Sequence, residues 1–177
     1  MYQQRTSIQQ ARVFSCQTAV DGVAPGTTIS TTAAFSLYNP TTSGKRLIVL
    51  RASVSLLSGT LGAGSILWTA NTNLAAAATT GSGTAIVSTA DLVGNATAPA
   101  GVPLTTATLP VAPKLLRPFC GLTAVAVATA AAPWQVFEDV DGEFMLLPGA
   151  TISLMGVTAA GTSPLVMIGM TWEEIPA

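Results

Sequence analysis

The chain reads as an all-β protein: an antiparallel β-sandwich, jelly-roll-like, with an N-terminal extended arm and long Ala/Thr/Gly-rich loops. Three observations carry that reading. Residues 133–176 are a series of strand-like runs separated by little more than turns, among them Asp141-Gly142 and Pro148-Gly149. Lys45–Ser58 is a long run in which residues 48, 50, 52, 54 and 56 are all apolar, as one face of a strand requires. Finally, helical patterns do not alternate with the strands, which excludes parallel α/β folds. About eight short strands in two sheets is the jelly-roll count.

The elements follow in order. Residues 1–12 form the arm, and residues 13–177 a single sandwich domain. Met1 to Gln10 has no clear period and suits a short helix or an extended tail. It is expected as an arm lying over a neighbouring subunit, with Tyr2, Gln3, Gln4, Arg5 and Ile8 making the contact. Residues 11–20 are the first strand, ended by Asp21-Gly22, and residues 27–38 are a Thr-rich strand. In Lys45–Ser58, the face carrying Ile48, Leu50, Ala52, Val54 and Leu56 is expected to meet the core, and that carrying Leu47, Val49 and Arg51 to lie opposite. Gly59-Thr60-Leu61-Gly62-Ala63-Gly64 is a turn. It lacks the Lys-Ser/Thr ending and the following helix of a phosphate loop.

Residues 65–69 begin another strand. Residues 71–111 are low in complexity, with one helical turn available at residues 75–78, one short strand at 85–88, and otherwise loops through Pro99, Pro103 and Pro110. Lys114–Leu122 is a strand interrupted at Pro118, and over residues 122–128 strand and buried helix compete. Residues 134–138 run out and 144–147 run back as a hairpin about Asp141-Gly142, because Gly accepts the positive φ of the tight turn. Residues 150–157 and 165–175 are the last strands.

Composition bounds what such a domain does. Of 177 residues, 49% are apolar and only 8% charged, against about 25% charged in ordinary globular proteins. A free monomer keeps charge on its surface for solubility, so much of this surface is expected to be covered by copies of the chain or by a partner. A net charge of −1 argues against nucleic acid, whose phosphates demand a basic patch. The most apolar run, residues 122–134, falls short of the roughly 20 residues of a membrane span. Residues 1–12 are polar and carry no apolar signal segment.

The chain has no histidine, so Ser-His-Asp and Cys-His catalysis are excluded. No stretch marks an enzyme or a cofactor site. Cys16 and Cys120 lie far apart, without a CxxC pair; they read as buried reduced thiols, with a disulfide between strands as the alternative. The one oxygen-rich cluster is Glu138, Asp139, Asp141 and Glu143. Its Asp-x-Asp-Gly spacing offers Asp139, Asp141 and Glu143 as calcium ligands, although Ala150 stands where an EF-hand loop closes on Glu. A solvated turn is the simpler reading. Trp68, Trp134 and Trp172 each fall in a strand, where core packing competes with an exposed carbohydrate platform.

Three segments resemble small structural proteins of tailed-bacteriophage virions: Gly44-Lys45-Arg46-Leu47-Ile48-Val49-Leu50, the turn Leu146-Leu147-Pro148-Gly149-Ala150, and the closing Met170-Thr171-Trp172-Glu173-Glu174-Ile175-Pro176. The resemblance implies a non-catalytic protein of the virion, often a trimer, present in many copies. It brings no site residues with it. The expected role is a capsid decoration or cement protein, contacting itself and the major capsid protein, with no cofactor, nucleic acid or membrane. The alternative is a tail or head-fibre protein that attaches to host carbohydrate.

Overall fold

A computed structural model describes residues 2–72, 76–79, 86, 88–122, 125–126, 134–158 and 161–177. One helix, α1 (Tyr2–Gln9), precedes the strands β1 (Val13–Gln17), β2 (Thr32–Tyr38), β3 (Lys45–Ser58), β4 (Thr60–Leu61), β5 (Gly64–Asn71), β6 (Ser88–Ala90) and β7 (Val102–Thr108). Then come β8 (Lys114–Leu122), β9 (Val125–Ala126), β10 (Gln135–Asp139), β11 (Met145–Leu146), β12 (Thr151–Val157) and β13 (Leu165–Pro176). Sheet A has the order β10-β3-β13-β1-β6, with β11 also on β3; sheet B has the order β7-β2-β12-β5-β8; β4 and β9 form a small ribbon.

The pairing explains the shape. β1 pairs with β13, β2 with β12, β3 with β10 and β5 with β8, all antiparallel. Apart from the insertion and the short β4, β9 and β11, early strands therefore meet late ones in reverse order, as in one long hairpin. Its arms alternate between the two sheets, and rolling it up sets β3 beside β13 and β5 beside β12. This is the jelly roll expected from the sequence. The low-complexity segment between β5 and β8 is an insertion that adds one edge strand to each sheet: β6 against β1 and β7 against β2. Pro103 does not break β7, because an edge strand has one side on which no N–H is needed.

The core between the sheets is built on Phe14, Phe35, Trp68, Leu154, Ile168 and Trp172. A smaller cluster of Tyr38, Leu104, Leu109 and Met155 lies on the other side of sheet B. Consecutive side chains point to opposite faces. Burial of every residue over 33–38 and 151–156 therefore means that β2 and β12 of sheet B are covered on both faces, whereas the edge strand β8 is largely exposed. In sheet A, β13 instead alternates buried and half-buried along most of its length, so its outer face is open.

Four expectations are corrected. The N-terminal segment is not an extended arm but helix α1, rich in Gln, which tolerates helix well. It closes with Ala11 at φ 55, where the amides of Ala11 and Arg12 bond back to the carbonyls of Ile8 and Ser7. The faces of β3 change phase midway. Leu47 and Val49 are buried, then Ala52, Val54 and Leu56, because the partner register jumps from Thr171↔Arg51 to Trp172↔Val49 and leaves Leu50 as a bulge.

Asp141-Gly142 makes no hairpin. β10 and β11 both run antiparallel to β3 at successive stretches of it, and the tight turn between them (φ 51 and 85) stands opposite the bulge, with the amides of Val140 and Asp141 both on the Leu50 carbonyl. The turn chemistry is as expected, yet the strand resumes its direction. Residues 76–78 form no helical turn. Of the strand expected at 85–88, residues 85 and 87 lie outside the described ones, residue 86 is in no strand, and Ser88 opens β6 (Ser88–Ala90); β9 is the described part of 122–128 beyond β8.

Candidate functional site

The open outer face of sheet A can be laid out from its register. One row across the strands reads Val13, Glu173, Ile48 and Met145. The next reads Ser15, Thr171, Arg51 and Asp139, and the one after it Gln17, Gly169, Ser53 and Phe137. Within the second row Ser15 and Thr171 share a hydrogen bond at 2.9 Å, and Arg51 Nε donates to Asp139 Oδ1 at 2.6 Å. In the third row Gly169 leaves a gap on a central strand. The resulting depression, about 170 Å3, is lined by Gln17, Arg51, Ser53, Gly169 and Thr171 together with backbone beneath them. Phe137, across from Ser53, is 65% exposed.

Helix α1 sits at the end of this face. Ser7 is buried and its Oγ donates to Glu173 Oε1 at 2.6 Å, while Val13 in the same row is fully covered. Of the contact residues expected in the arm, Ile8 is half-buried on the chain's own surface, and the side chains of Tyr2, Gln3, Gln4 and Arg5 lie outside the described residues.

The acidic cluster is divided among arginines. Asp139 pairs with Arg51 on the outer face. Glu138 points the other way, where its carboxylate takes Trp68 Nε1 at 2.8 Å and Arg117 Nη1 at 2.7 Å. Arg117 Nη2 reaches Glu143 at 2.8 Å, and the guanidinium lies 5.0 Å from the Phe144 ring centre. Arg117 on β8 thus clasps the edge of sheet B to the edge of sheet A. Asp139, Asp141 and Glu143 do not converge: among the described residues, no group of three His, Cys, Asp or Glu side chains has the proximity that a metal ion needs.

The other candidates are placed as follows. Trp68 and Trp172 are fully buried and Trp134 is packed half-buried against the core, so the tryptophans form no exposed platform. Cys16 and Cys120 are free thiols on different sheets, and burial pushes their pKa values up to about 12 and about 11. Neither is an activated nucleophile. A wider groove of about 670 Å3 beside β6 is lined by residues such as Ser88, Ala90, Val93, Asn95 and Thr97, with no ionisable group among them.

Sequence reasoning missed Gly169 and Phe137. Phe137 carried a faint signal, since it puts an apolar side chain on the polar face of β10. The class that fold and surface define is a jelly-roll domain in which one sheet is covered on both faces at β2 and β12 and the other is open and sparsely charged on its outer face. No protein-family model, curated protein or solved structure matches the chain.

Proposed function

We propose that this chain is a non-enzymatic structural protein of a tailed-phage particle, a capsid decoration or cement protein that acts by holding neighbouring shell subunits together. The observation that carries the reading is the open face of sheet A. Its second and third rows present Ser, Thr, Gln and Gly with a single ion pair and the exposed ring of Phe137, so there is little net charge to desolvate and each hydroxyl or amide can be re-paired by a hydrogen bond from the partner. Jelly rolls serve as viral capsid domains, and the closing Trp172-Glu173-Glu174 resembles the terminal strands of such virion proteins. In this reading the partners are further copies, as a homotrimer, and the major capsid protein, and the location is the virion after synthesis in the host bacterium.

The action is mechanical. Area buried against several subunits, at about 25 cal/mol per Å2 before the costs of association, opposes shell expansion. The helical α1 docks on its own sheet, so the shell contact falls to the sheet and loops rather than to a reaching arm. Light scattering of the purified chain tests the assembly: a native mass three times the 17.9 kDa of one chain is expected. A monomer that also fails to sediment with phage shells overturns the reading.

A further inference from the structure

We infer that the depression over Gly169 is a saccharide subsite, taking one neutral sugar ring against Phe137. The depression is lined from β1, β3 and β13, and Phe137 on β10 stands in register beside it, opposite Ser53. Gly169 has no side chain, and a Cβ built there would come within 2.9 Å of Ser53 Oγ, so the hydroxyl leans over the glycine and the floor is backbone. Around that floor stand Gln17, Ser53, Thr171 and Arg51. They offer an amide, two hydroxyls and a guanidinium, a mixture of donors and acceptors that suits sugar hydroxyls. Asp139 engages only Nε of Arg51; among the described residues no other group holds its Nη atoms. Phe137, the neighbour of Ser53, lies largely open and gives the apolar C–H face of a ring a surface to stack on.

Size and charge decide the ligand class. A cavity of about 170 Å3 is smaller than the roughly 300–1,000 Å3 that encloses a drug-sized molecule, so it receives one ring or part of one. The positive charge of Arg51 is matched by Asp139, and Glu173 stands one row further along, so an anion gains little here. A neutral sugar needs no net charge. The subsite lies on the same open face as the shell contact proposed above, so a chain docked by that face has it covered; the two are separable in the isolated chain, where a protein that never trimerises still binds sugar if the geometry is right.

The test is a titration of the isotope-labelled chain with trisaccharides of glucose, galactose and N-acetylglucosamine, and with glucuronate, followed by amide NMR shifts. Saturable shifts at Gln17, Ser53, Phe137 and Gly169 in the millimolar range are expected with at least one neutral trisaccharide. Phe137→Ala should weaken binding at least tenfold. Gly169→Ala should abolish it by filling the floor, and rotation of Ser53 Oγ lets the fold accept the methyl. Retained amide dispersion verifies folding in both variants. The inference is overturned if no neutral sugar gives saturable shifts, if glucuronate alone binds, or if both folded variants bind like the parent.

Discussion

Glu174 Oε1 accepts a hydrogen bond from Trp172 Nε1 at 3.0 Å, two residues back on the same face of β13. The same carboxylate also takes the amides of Gly101, at 2.8 Å, and Ala100, at 3.0 Å. The last strand therefore fastens the loop ahead of β7 with a carboxylate that is only 6% exposed and has three N–H partners. Charge-assisted bonds of this kind are stronger than neutral ones, and a buried donor left unpaired costs about 1–3 kcal/mol.

Glu174→Gln keeps the shape but replaces one acceptor oxygen with an NH2 that confronts an N–H. It should lower stability by about 1–3 kcal/mol in urea unfolding, with the m-value unchanged. Parent-like stability would show that the loop is held by packing alone.

A second prediction concerns the end of the sandwich where β3 turns into β4. Gly59 has φ +73, and a Cβ there would lie 2.2 Å from the carbonyl oxygen of Ser163. Thr60 N–H bonds the Thr162 carbonyl at 3.1 Å, and Thr162 N–H bonds Thr60 Oγ1 at 2.8 Å, so the two loops are held at backbone distance. Gly44, at φ +61, has nothing within 4 Å of such a Cβ. Gly44→Ala should cost about 1–2 kcal/mol from the left-handed backbone alone. Gly59→Ala should cost clearly more, since the obstruction is backbone and cannot rotate away. Equal losses in thermal unfolding of the two variants would mean that the loops separate easily.

The sequence made the wound sandwich legible because its evidence is local. Alternation marked β3 at its observed ends, β8 was expected over its observed span, and Pro148-Gly149 marked the crossing from β11 to β12. What it hid depends on partners. The bulge at Leu50 has no signature of its own; it follows from the register of β13 and from the turn at Asp141-Gly142 that faces it. The same turn looked like a hairpin because a tight turn does not reveal whether the chain reverses beside itself or resumes along a third strand. β7 was hidden by Pro103, whose tolerance depends on lying at an edge. The depression could not be read at all, since its lining residues Gln17, Ser53 and Gly169 come from three strands spread over most of the chain, and Phe137 beside it comes from a fourth. By contrast, the acidic turn was visible, but its arginine partners Arg51 and Arg117 were not.

The cysteines give the last prediction, a dependence on pH. Burial raises the Cys16 thiol from 9.0 to about 12, with the Met170 backbone hydrogen bond acting weakly the other way. For Cys120 burial is again the leading cause, and the value is about 11. A thiol whose folded pKa lies above its unfolded one binds more protons in the native state. Its contribution to stability is complete below about pH 9 and is lost as pH rises towards the folded value. The folded chain should therefore react slowly with a thiol reagent at neutral pH, and its unfolding free energy should fall between about pH 9 and pH 11. Cys16→Ala should flatten part of that alkaline fall, though it lowers stability at pH 7 through the small cavity it leaves on β1. Chemical denaturation of parent and variant from pH 7 to 11 reads both effects; an identical alkaline slope in the two would mean that the Cys16 thiol does not contribute to it.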